Sequence, residues 1–231
     1  MLRTTLAAGA LLLALTAGLS AQAAQRTFVA TSGSDSNTAS NCSNTLPCRG
    51  LAAALAVTDS GGEIIVLSSG GYGPVTIDKS VSIVAPAGIY AGISVFSGNG
   101  ITIATPSLRV ELRGLTVNGL GGSYGIRMTA ASELRILDCT IAGFGSGQIG
   151  LSVDAAGRVH IARSIFRDST QNAVIAGGAT ASVSDSHFFG GLAGLVAQAG
   201  AAQTTKVFVD RSVASGGTGS GFQAYGFGAS G

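Results

Sequence analysis

From Arg109 onward the chain repeats itself, and a repeat of this length admits few architectures. The segments Val110-Glu-Leu-Arg-Gly-Leu-Thr-Val117, Leu134-Arg-Ile-Leu-Asp-Cys-Thr-Ile141 and Val159-His-Ile-Ala-Arg-Ser-Ile-Phe166 superpose without a gap, and further copies start at Ala181 and Val207. The first residue advances by 24, 25, 22 and 26 from copy to copy, as it does when strands stay in step while turns vary. Within a copy the first, third, sixth and eighth positions are apolar or small, as in Val110, Leu112, Leu115 and Val117. Alternation on either side of a two-residue break means a strand, a bend and a second short run facing one interior. After a glycine-rich turn comes another apolar pair: Ile126 and Met128, Leu151 and Val153, Val174 and Ala176, Leu195 and Ala197, Phe222 and Ala224. One coil cannot bury such a face, whereas stacked coils make a continuous core with equivalent residues about 4.8 Å apart. The expected fold is all-β, a right-handed parallel β-helix over 61–231.

Upstream strands are less regular but visible in Glu63–Leu67, Val75–Ile77, Val81–Val84, Ile93–Val95 and Ile101–Ile103, punctuated by glycine and proline. Arg49–Val57, rich in alanine and leucine and preceded by Pro47, predicts one short helix. An exposed end of a stacked sheet offers unpaired backbone groups, so residues 24–60 are read as an N-terminal cap. No matching cap is visible at the other end, where a closing turn, further coils or another subunit are equally open readings.

Residues 1–23 read as a secretory signal peptide: Arg3, an apolar run from Leu6 to Leu19 too short to span a bilayer, and Ala21-Gln-Ala23 before the cut. The expected location is secreted or periplasmic. Cys42 and Cys48 are then expected to close a small disulfide loop. Cys139, at a core position of the repeat, is read as a buried small side chain. Only 10% of residues are charged and the formal net charge is +2, which leaves no electrostatic footprint for nucleic acid or an anionic membrane. A hydrophobic content of 46% excludes disorder, and glycine lacks the three-residue period of collagen. No motif calls for a cofactor or a metal.

At the bend of successive repeats stand Gly114, Asp138, Arg163, Asp185 and Arg211. In register, each acid sits between bases. The column reads either as an ion-pair ladder that selects coil register or as a polar track for sugar hydroxyls or uronates. Glu111, Arg135 and His160 form a neighbouring outward column with Ser182 and Phe208, and His187 is expected on the same sheet. Histidine can act as acid or base near neutral pH. Tyr72, Tyr90, Tyr124, Phe189 and Tyr225 fall in or near turns, where an aromatic ring either packs locally or stacks on sugar.

The order Gly33-Ser-Asp-Ser, Pro47-Cys-Arg, a short helix, Gly61-Gly-Glu-Ile-Ile-Val-Leu67, Gly70-Gly-Tyr-Gly-Pro-Val-Thr-Ile77 and Lys79-Ser-Val-Ser-Ile83 resembles the opening of secreted β-helix proteins in the pectin-lyase-like superfamily. That superfamily includes pectate lyases, pectin esterases, polygalacturonases, tailspike enzymes and epimerases, so the resemblance implies an acidic or neutral polysaccharide as ligand. The paired aspartates and Gly-His-Gly of polygalacturonases are absent, and the outward acids are spread one per coil. Three functions follow as expectations: a module binding polysaccharide or glycan on its outer strand face; a lyase or glycoside hydrolase using Asp138, Arg163, Asp185, His187 and Arg211; or a structural or adhesive spacer.

Overall fold

A computed structural model describes residues 24–226; the signal peptide expected at 1–23 lies outside them. Three parallel sheets of eight, seven and seven strands wrap one core. The first sheet runs from Ala24–Val29 through Thr58–Val66, Val81–Val84, Arg109–Arg113, Glu133–Leu137, Arg158–Ala162 and Thr180–Ser184 to Lys206–Asp210. From Arg109–Arg113 onward a sharp bend leads from each to the second sheet, which includes Ala91–Val95, Leu115–Gly119, Thr140–Ala142, Ile165–Arg167, His187–Phe189 and Val213–Ser215. A wider turn leads on to the third, which includes Asn99–Ile103, Tyr124–Met128, Ile149–Val153, Gln171–Ile175, Ala193–Ala199 and Phe222–Gly226. This is the parallel β-helix that the repeat predicts.

The predicted core columns form. Val183 pairs with Ile161, Ile161 with Ile136 and Ile136 with Leu112, all fully or almost fully buried. Phe166 and Phe188 stack inside the second sheet with ring centroids 5.1 Å apart. In the last described rung Val209 and Phe222 continue the columns but are 41% and 46% exposed, because no described rung covers them.

One expected pair is off by a residue. In Gln171–Ile175 the inward side chains are Ala173 and Ile175, in register with Leu151 and Val153, while Val174 faces outward. The buried Asn172 sets this register. Its Oδ1 accepts from Ser169 N and its Nδ2 donates to the carbonyls of Phe189 and Gly190, so the turn is a residue tighter than the apolar pattern suggests.

The helix spans Leu51–Val57 and buries Leu51, Ala54 and Leu55. It starts two residues later than predicted because Asp35 Oδ1 accepts from the N–H groups of both Arg49 and Gly50, each at 2.8 Å, and Gly50 is extended. Cys42 and Cys48 are disulfide-bonded. Residues 24–60 also supply the first strand, Ala24–Val29, which pairs with Thr58–Val66. Among the described residues no helix is long and apolar enough to cross a membrane.

Candidate functional site

In five successive coils the bend between the first and second sheets holds a left-handed residue. Gly114, Asp138, Arg163, Asp185 and Arg211 have φ of 70°, 56°, 49°, 49° and 42°. Gly114 has a second constraint, since a Cβ there would meet Ala85 O at 2.4 Å. In the later coils an aspartate or an arginine takes this position. Arg163 reaches back one rung and grips Asp138 with Nε and Nη2, at 2.8 and 3.0 Å. Arg211 grips Asp185 in the same way, at 2.7 and 3.0 Å, and also holds Asp210. The charges therefore form two closed bidentate pairs; each acid is gripped by the arginine of the following coil only. The guanidinium bonds hold both carboxyls below their ordinary range, so they stay ionised and both oxygens of each are occupied.

His187 lies across the bend, on the second sheet, not with His160 on the first as expected. Its ring is parallel to that of Phe189, 5.5 Å between centroids. His160 does take its place beside Arg135 and Ser182, with Nδ1 2.9 Å from Ser182 Oγ. On that face Glu111 lies between Arg113 and Arg135, at 2.9 and 3.7 Å, and Glu133 between Arg109 and Arg135, at 3.8 and 3.9 Å. These two strands of the first sheet thus carry a mesh of paired charge. Tyr72 is buried and bonded through its hydroxyl to Ser68 O, so it belongs to the core and not to the surface.

The third sheet carries a grouping that the sequence reading did not single out. Arg127 stands on the outer face of Tyr124–Met128, in register with Thr102 and Ser152. Its Nε donates to Asp154 Oδ2 at 2.8 Å, and its guanidinium lies over the Tyr124 ring, 4.4 Å from the centroid. Ser152 Oγ donates to the other oxygen of Asp154 at 2.5 Å, fixing the carboxylate. The hydrogen bond that Arg127 donates to Asp154 raises its pKa further. Nη1 and Nη2 have no hydrogen-bond partner among the described residues. The group is a clamped guanidinium with its terminal fork open, the geometry that takes a carboxylate bidentately. The available signal was the i, i+3 placement of Tyr124 and Arg127 beside an aspartate one coil on, but no local pattern marks it.

Calcium needs six to eight oxygen ligands, several of them carboxylates. No cluster of three or more ligating side chains exists among the described residues, and Asp154 is engaged by Arg127 and Ser152. These residues do not fit a calcium centre.

Fold and surface together define a parallel β-helix with polar groups on its outer strand faces. Among solved structures it is similar to the crystal structure of pectate lyase Pel9A, with a TM-score of 0.62 and 14% sequence identity over 84% of this chain and 64% of that one. The chain therefore spans less than two thirds of that structure, and the likeness is one of fold. No family model and no curated protein matches the sequence.

Proposed function

We propose that this protein binds an acidic polysaccharide on the outside of its solenoid, with Arg127 seating a uronate carboxylate. The observation that carries the reading is the open Nη1–Nη2 fork, held in place by Asp154 and Tyr124 before any ligand arrives. A side chain already ordered loses less freedom on binding. The fold adds support, since the similar solved structure is named as a lyase of pectate. The reading puts the protein outside the cytoplasm, in keeping with the Cys42–Cys48 disulfide.

The test is calorimetric titration with hexagalacturonate. A hydrogen bond to a charged group contributes about 1.5–3 kcal/mol, so Arg127→Ala is expected to weaken binding roughly 10- to 100-fold. Arg127→Lys, which keeps charge but loses the fork, should recover only part of it. Equal affinity of wild type and Arg127→Ala would remove the reading.

A further inference from the structure

We infer that the outer face of the second sheet is a separate docking track for a neutral glycan, with the Tyr90 ring as its stacking platform. Tyr90 is 49% exposed yet fixed. Asn118 Nδ2 donates to its Oη at 3.1 Å, and its backbone N–H donates to Ser69 Oγ at 3.0 Å. The ring lies on the sheet over Gly92. A Cβ added to that glycine would stand 2.8, 2.8 and 2.9 Å from Cε1, Oη and Cζ. Three bonded atoms can be this far from one point, and almost equally so, only if the point lies off the ring plane. The hydroxyl-bearing edge of Tyr90 therefore overlies Gly92 with one face turned toward it, and about half of the residue stays exposed. Gly92 sits mid-strand with no positive φ, so the backbone does not demand glycine there; clearance for the ring does.

From Gly92 the outward column continues through Thr116, Thr140, Ile165 and His187, and its neighbour from Ser94 through Asn118, Ala142 and Arg167 to Phe189. Four strand spacings separate Ala91–Val95 from His187–Phe189, which is about 19 Å. The far end holds a second ring pair, His187 and Phe189, with Phe189 38% exposed. Between the two ends lie hydroxyl, amide and small side chains, the exposed Ile165, and one guanidinium, Arg167, which is paired with Asp168 at 2.6 Å. Aromatic faces bind the C–H face of a pyranose, and hydroxyls and amides bind its edge. Arg167 is paired with its chain neighbour Asp168 and is not held over a ring as Arg127 is, so the face favours neutral sugar over uronate. This site shares no residue with the Arg127 group and does not depend on it.

The test uses cellohexaose, xylohexaose and mannohexaose, titrated by calorimetry and by tyrosine emission, which tryptophan does not mask because the chain has none. At least one neutral hexasaccharide should bind and perturb the emission. Tyr90→Ala should weaken that binding at least about fivefold while leaving hexagalacturonate affinity unchanged; Arg127→Ala should do the reverse. Phe189→Ser, at the far end, guards against a folding defect in Tyr90→Ala and should also weaken neutral binding. The inference is overturned if none of the three sugars binds, or if a folded Tyr90→Ala binds as wild type does. It is overturned equally if Arg127→Ala abolishes neutral binding too. Failure of hexagalacturonate alone bears only on Arg127.

Discussion

The backbone N–H of Cys139 donates to the Oγ of Ser164 one rung further along, at 3.2 Å. The same step repeats from Ser164 to Ser186 and from Ser186 to Ser212, and each serine hydroxyl donates back to the carbonyl two residues before it. Next to the left-handed bend, where the regular ladder is broken, this column of hydroxyls satisfies buried backbone groups. Cys139 heads the column with a sulfur.

Ser164→Ala should accordingly leave the Cys139 N–H buried and unpaired, a loss of about 1–3 kcal/mol. Ser212→Ala, in the last described rung, should cost less. Denaturant titration of both variants gives the comparison, and equal stabilities would remove the hydroxyl column as a structural element.

Burial pushes the Cys139 thiol up to about 12. It should not react with thiol reagents at pH 8 until the protein unfolds. Because the unfolded thiol ionises first as pH rises, the native state holds more protons there, and stability should fall from about pH 9 upward. Cys139→Ser should flatten that alkaline fall; fast labelling of the native protein would contradict the burial.

Asp138 and Asp185 behave in the opposite sense. Their folded pKa values are depressed by Arg163 and Arg211, so their stabilising effect is present above the ordinary carboxylate range and is lost as pH falls through and below it. Both pairs are exposed, so the effect is small at neutral pH. The variant carrying Arg163→Ala and Arg211→Ala should show a shallower loss of Tm between pH 5 and pH 2, at pH values near about 4 and below. An unchanged acid profile would mean that the pairs do not form in solution.

The same residues separate binding from cleavage. With each carboxylate closed by an arginine, wild type incubated with polygalacturonate, with and without Ca²⁺, is expected to release neither unsaturated nor reducing ends. Should ends appear and Asp185→Ala abolish them, the bend column would be catalytic and the protein an enzyme.

Phe188 lies between Phe166 and Phe222, stacked on one and edge-on to the other. Phe188→Ala should cost about 3–5 kcal/mol, and Phe188→Leu clearly less. A thermal scan in which both variants match wild type would show that the interior stack is not as tight as described.

What the amino-acid sequence determined is whatever a coil repeats. Alternation at 110–117 and its copies dictated the strands and the bend, and like residues at like positions dictated the inward columns. Cys42 and Cys48 lie close enough in the chain to predict their bond. Tertiary structure alone decided what depends on neighbours one coil away and on the lengths of the turns between. Asn172 shifted Val174 outward, the bend carried His187 onto a different sheet from His160, and the ion ladder closed into two pairs because each arginine reaches backward only. Arg127 meets Asp154 across 27 residues, and Tyr90 covers Gly92 while bonding Asn118, 28 residues on. Periodicity fixes which way a side chain points, but which groups meet on an outer face is set by stacking register, and the lengths of irregular turns do not announce it.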